Sequence, residues 1–198
     1  MFDVVNIKDT VRIEPRHFKL GTVKCIEQEL NRKLSNKVLL NTGLGICLWD
    51  ILDYGDREIY PSDGAYYVTV SFRYVIFKPF INEIIAGTVA KCSPEGLQVS
   101  IEFFDDIIIP KANIPQSFEF QSEKNSWVWT IENGEITIDV QDKINFKVTE
   151  YIWQDTFPIS NSVDENNRVQ QERSTAPFTV VGTINVHGLG LPCWWDDN

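Results

Sequence analysis

A chain of 198 residues and 22.8 kDa has room for one large or two small domains, and either size buries a core. Apolar residues make up 43% and aromatics 12%, which argues against intrinsic disorder, and no apolar run approaches the roughly 20 residues that cross a bilayer. The net charge of −10 is uneven: residues 1–80 hold 11 Lys+Arg against 10 Asp+Glu, and residues 81–198 hold 7 against 18, an acidity that makes the second part a poor stand-alone binder of nucleic acid.

The first stretch, Phe2–Ile13, alternates like a strand, with Val5, Ile7, Val11 and Ile13 on one face. It has neither the basic start nor the apolar centre of a signal peptide. Glu14-Pro15 opens a turn or short helix. From Leu20 to Val38 the apolar residues Leu20, Val23, Ile26, Leu30 and Leu34 recur every three or four positions, which predicts an amphipathic helix with Lys24, Glu27, Arg32 and Lys33 outward. A short apolar strand begins at Gly45. Residues 53–64 (DYGDREIYPSDG) are crowded with Asp, Gly and Pro and read as an exposed loop. Tyr66–Phe77 is a long alternating strand, so residues 1–80 form an α+β domain, a sheet with one helix on it.

Lys78-Pro79-Phe80 marks the break, because proline cannot donate to a ladder and restricts the residue before it. Beyond it, a strand over Ile84–Cys92, a turn at Ser93-Pro94-Glu95-Gly96 and a strand over Leu97–Phe104 open a β-meander. Asp105–Ile109 is a third short strand, Lys111–Ile114 a helical turn, and residues 115–125 a polar loop. Glu-Asn-Gly between two apolar runs is a hairpin signal, placing an inserted hairpin at about 126–140. A strand over Asp142–Phe157, a mobile acidic loop at about 158–176 and a closing strand over Phe178–Val186 complete residues 81–198 as an all-β OB barrel of the S1 type.

Cys25, Cys47, Cys92 and Cys193 are scattered without a Cys-x-x-Cys pair, which reads as reduced structural thiols in an intracellular protein, with no metal. His17 and His187 are the only histidines, too few for Ser–His–Asp or two-His metal chemistry. Asp105 and Asp106 are consecutive on a strand and diverge. Neither Gly43-Leu-Gly45 nor Gly188-Leu-Gly190 leads into the Gly-Lys-Ser/Thr of a phosphate loop. Catalysis and a cofactor are therefore not expected.

These features together resemble the larger stalk subunit of archaeal and eukaryotic RNA polymerases. The residues that carry the resemblance are I-E-P at 13–15, G-x-G-I-C at 43–47, D-G at 63–64, F-R-Y-x-x-F-K-P-F at 72–80 and G-T-V at 87–89. The W-V-W hairpin, the acidic insertion and the terminal G-L-G-L-P-C-W-W are most similar to the RNA polymerase III version. The resemblance implies an RNP-like tip domain followed by the OB barrel, and a nuclear, non-catalytic subunit acting in transcription initiation. It further implies a heterodimer with the small helical stalk subunit, a tip inserted into the polymerase core, and an OB domain held near emerging RNA. The partner interface is expected on the N-terminal helix region and the domain junction. A free-standing OB adaptor for single-stranded RNA is the alternative.

Two sites follow. In the tip loop, Asp53, Tyr54, Ile59, Tyr60 and Pro61 would touch the polymerase core, against the plain alternative of a solvated connection. On the barrel, Lys91, Phe103, Phe104, Lys111, Lys143 and Lys147 are the candidates for stacking bases and neutralising phosphates, against Phe in the core and Lys in solvent. Phe103 and Phe104 point to opposite faces, so at most one is outward. Trp127 and Trp129 share a strand face and either cover the barrel or extend an interface, and the terminal Cys-Trp-Trp is a packed tail or a contact peptide.

Overall fold

The computed structural model describes residues 1–61, 63–131, 134–154 and 176–195, which divide into two compact units, Met1–Pro79 and Phe80–Asn198. The expected acidic loop falls, apart from Ala176, outside the described residues.

In the first unit, β1 (Phe2–Ile13) leads through a 3-10 turn (Pro15–His17) into α1 (Thr22–Leu34). Then follow β2 (Val38–Leu39), β3 (Gly43–Tyr54), β4 (Glu58–Ile59) and β5 (Tyr66–Phe77). The sheet order is β1-β5-β3-β2, and β4 also pairs with β5. β1 and β5 pair without a break over their full length, from Phe2↔Phe77 to Ile13↔Tyr66. One face of β5 (Tyr66, Val68, Val70, Phe72, Tyr74, Ile76) meets Val11 and Ile13 of β1 and Cys25, Ile26, Leu30 and Leu34 of α1 in the core. The helix is shorter than its apolar spacing predicts. Leu20 precedes it, and Leu20 and Val23 are exposed; Cys25 and Glu29 complete the buried face. Glu29 is buried with its carboxylate held by Arg32 at 2.6 Å.

The second unit opens with β6 (Ile84–Ser93), β7 (Gly96–Ile101) and β8 (Phe104–Pro110), the last followed by a 3-10 turn, Lys111–Asn113. A three-stranded sheet comes next, β9 (Glu119–Gln121), β10 (Ser126–Ile131) and β11 (Gly134–Ile138). β12 (Lys143–Trp153) and β13 (Phe178–Thr183) finish the chain. The barrel closes in the order β12-β13-β8-β7-β6, with β13 parallel to β8, the five-stranded OB topology. The expected polar loop over 115–125 contains the buried Phe118 and β9, which pairs with the open edge of β10 and makes the hairpin a three-stranded sheet.

The hairpin sheet is anchored to β6 by backbone bonds from Gln141 N–H to Val89 O (2.8 Å) and from Val89 N–H to Asp142 O (2.9 Å). Trp127 is buried against Phe120, whereas Trp129 keeps 37% of its surface exposed. The described part of the tail is packed in part, with Leu189 and Leu191 buried and Cys193 and Trp195 exposed. Gly190 and Asn145 exchange two backbone bonds of 2.8 Å, and Trp194 stacks on Phe118 at 5.4 Å. Gly190 has φ +95°, and a Cβ there would lie 2.1 Å from the Trp194 ring, so glycine is required where the tail turns.

Candidate functional site

The tip end of the first unit is built by three strands that stop at different heights. β3 runs out to Tyr54, opposite Val70, and Gly55 N–H bonds to Thr69 O at 2.9 Å. The chain then returns as β4, which pairs Glu58 with Tyr67 and Ile59 with Tyr66. The loop expected over 53–64 is thus partly strand, since its centre completes the sheet above the end of β3.

Both shoulders of this tip are strapped down. The Arg57 guanidinium donates to the Thr22 hydroxyl at the start of α1 and lies 5.5 Å over the Tyr66 ring. On the other side Arg12 of β1 grips Asp63 with two bonds, Nε to Oδ2 at 2.7 Å and a second to Oδ1 at 2.5 Å. The Tyr67 hydroxyl donates to the same carboxylate at 2.6 Å, and the Tyr60 ring packs edge-on to Tyr67 at 4.9 Å. These two donors, Arg12 first, hold the Asp63 carboxyl well below the usual carboxylate range, and the Asp63 carboxylate in turn pushes the Tyr67 phenol up.

All five residues expected at the tip, Asp53, Tyr54, Ile59, Tyr60 and Pro61, lie exposed at this end, with Ile59 at 65% and Tyr60 at 51%. The straps themselves, Arg12, Arg57, Asp63 and Tyr67, were not legible, because Arg12 and Asp63 are 51 positions apart. A groove of about 300 Å³ between β1 and α1 also carries cations, but Arg32 is taken by Glu29 and Lys33 by Asp9 at 2.5 Å.

The barrel residues do not converge. Phe104 is corrected outright: it starts β8 with its side chain 5% exposed, 5.5 Å from the Phe178 ring inside the barrel, and cannot stack a base. Phe103, 44% exposed, sits in the β7–β8 turn. Lys91 and Lys111 lie toward the other end of these strands, where Lys111 N–H bonds to Glu95 O at 2.9 Å beside the β6–β7 turn. Lys143 and Lys147 stand opposite Thr88 and Ile84 on the β12–β6 pair. The β7–β8 face that OB folds commonly use presents Gln98, Ser100, Asp105 and Ile108, with no cation. Ser100 donates to Asp105, and burial followed by the Asp105 charge pushes the Asp106 carboxyl up.

His17 Nδ1 lies 3.8 Å from the Glu29 carboxylate, and the His187 ring packs on Trp195 at 4.4 Å. Residues 83–195 match the family model for "RNA polymerase III subunit Rpc25", and residues 8–64 match that for the SHS2 domain found in the N terminus of Rpb7p and Rpc25p. The chain is 42% identical to DNA-directed RNA polymerase III subunit RPC8 of Bos taurus, over 98% of both chains.

This chain belongs to the Rpc25/RPC8 family.

The RPC8 subunits of Saccharomyces cerevisiae (32% identical, 99% of this chain and 100% of the yeast one) and Schizosaccharomyces pombe (34%, 98% and 100%) extend the same likeness end to end. RNA polymerase II subunit RPB7 of S. cerevisiae is more distant, at 25% over 75% of this chain and 86% of its own. An Rpc25/RPC8 protein is a non-catalytic stalk subunit of RNA polymerase III, so the two units are an SHS2 domain and a five-stranded barrel that work by association with the polymerase core.

Proposed function

We propose that this subunit is one half of a stalk heterodimer in the nucleus, paired with the small helical stalk subunit, and that it acts in initiation by seating its tip loop in a socket on the polymerase III core. One observation carries the tip reading: Tyr54, Ile59, Tyr60 and Pro61 are exposed apolar groups on a loop whose shoulders are held by Arg57–Thr22 and by Arg12–Asp63–Tyr67. A strapped loop loses little conformational entropy on docking, so its apolar area is available for affinity. RNA contact by the barrel is auxiliary, since the six candidate residues are scattered and the β7–β8 face carries Asp105.

The test is a tagged pull-down from nuclear extract, washed at high salt and read by mass spectrometry. A small helical partner together with polymerase III subunits is the expected recovery, and Ile59→Asp/Tyr60→Asp is expected to reduce the recovery of the core subunits while the small partner is retained. RNA without polymerase would overturn the reading. Nanomolar RNA affinity of the full chain in low-salt filter binding would overturn the auxiliary role.

A further inference from the structure

The free edge of the first sheet is broken in a regular way. β3 shifts register against β5 three times, between Gly45 and Cys47, between Leu48 and Asp50, and between Ile51 and Asp53. Each shift leaves one extra residue, Ile46, Trp49 and Leu52. Trp49 is 62% and Leu52 54% exposed, while Ile46 is half-buried. β2 covers only Gly43 and Leu44, so the rest of β3 is a sheet edge.

The backbone excludes an added strand. Gly45 N–H bonds to Lys37 O and Gly45 O accepts from Asn36 N–H; Ile46 O accepts from the Ser35 hydroxyl at 2.9 Å, and Leu48 N–H donates to Asn31 Oδ1 at 2.9 Å. Past Leu48, the bulges at Trp49 and Leu52 interrupt the even sequence of N–H and C=O groups that a new strand needs. A partner must therefore bind through side chains.

Spacing says which kind. Three residues of β3 advance against two of β5, which sets Ile46, Trp49 and Leu52 about 6.7 Å apart along the edge. Four residues of α-helix rise about 6 Å, and their side chains form the ridge that packs into grooves. A helix lying along the open part of this edge, beyond Leu48, meets Trp49 and Leu52 with successive ridge residues. Charge gives its direction. Asp53 follows Leu52, and Asp56 and Glu58 stand beyond it, with no cationic partner among the described residues, whereas Asp50 is already paired with Arg73.

We propose that the bulged edge of β3 docks an amphipathic α-helix of a neighbouring polymerase III subunit, apolar ridge on Trp49 and Leu52, Lys/Arg-bearing end toward Asp53, Asp56 and Glu58. This rests on membership of the polymerase, and its apolar contacts, Trp49 and Leu52, lie on β3 before the tip loop of residues 53–64. Tryptophan is enriched among residues that dominate interfaces, which fits its exposure here.

The test replaces Trp49 or Leu52 by the photoreactive residue p-benzoylphenylalanine in the full chain, assembled into purified polymerase III. Both positions are expected to cross-link one partner peptide, at residues three or four apart and flanked by Lys or Arg. Leu52→Asp is expected to weaken retention of that subunit at least roughly tenfold, with the melting temperature of the free chain unchanged. Cross-links two residues apart on the partner, cross-links to RNA, or none at all would overturn the proposal. The same residue placed at Ile59 separates the two readings: a core cross-link from 59 with none from 49 and 52 leaves the tip standing and removes this edge, and the opposite pattern does the reverse.

Discussion

Ile59→Ala measures how much of the subunit's attachment comes from the tip. The substitution removes three aliphatic carbons, each contributing about 0.8 kcal/mol when fully buried. Ile59 keeps 65% of its surface free, so docking has about 1.5 kcal/mol of this to gain, a factor of about ten in affinity. The free chain should scarcely notice, because the side chain supports no core. Ile26→Ala is the contrast: Ile26 is fully buried under the sheet, and its truncation should cost about 2–5 kcal/mol of stability. The assay is titration of labelled full chain, wild-type or variant, against polymerase III stripped of its stalk, with thermal melts of the free chains alongside. Unchanged affinity of a folded Ile59→Ala chain would refute the tip reasoning. A large fall in melting temperature would refute the claim that Ile59 is free of the core.

Three further outcomes are expected. Phe104→Ala should destabilise the barrel by about 3–5 kcal/mol in denaturant melts whereas Phe103→Ala should be near neutral, as Phe104 is buried against Phe178 and Phe103 lies in a turn. Asp63→Asn should lower the melting temperature at neutral pH. Because folding depresses the Asp63 pKa, its contribution is complete above the unfolded value near about 3.9 and is lost as pH falls below it, so the gap between wild-type and variant should close only in that acid range. Burial pushes the Cys92 thiol up to about 11, so alkylation at pH 8 followed by mass spectrometry should label the exposed Cys47 and Cys193 well before Cys92.

Much of the fold was legible because its signals are local. The strands over Phe2–Ile13 and Tyr66–Phe77 were read to the residue, since strict alternation on one side of a half-buried sheet leaves only one register. The pairing of β10 with β11 as a hairpin was also legible, with strand ends within two residues of the expected ones. The end of the second barrel strand was misplaced because Glu102 and Phe103 continue the apolar–polar alternation of Leu97–Ile101 into the tight turn where β7 stops. The helix start was misplaced because Leu20 and Val23 continue the apolar spacing, yet the sheet ends before it can cover them.

The sequence by itself determined the two-unit plan and the composition of the tip, because periodicity and turn residues each need only a few neighbouring positions, and its short motifs carried the resemblance to the family. Only the tertiary structure decided what those residues do together. It joined Arg12 to Asp63 and Arg57 to Thr22 across long stretches of chain, and it scattered the barrel lysines that composition had grouped. It also turned an apolar run into three bulges with Trp49 and Leu52 exposed. Pairings between distant positions depend on sheet register and strand length, and those are set by the cooperative packing of the whole core rather than by any local signal.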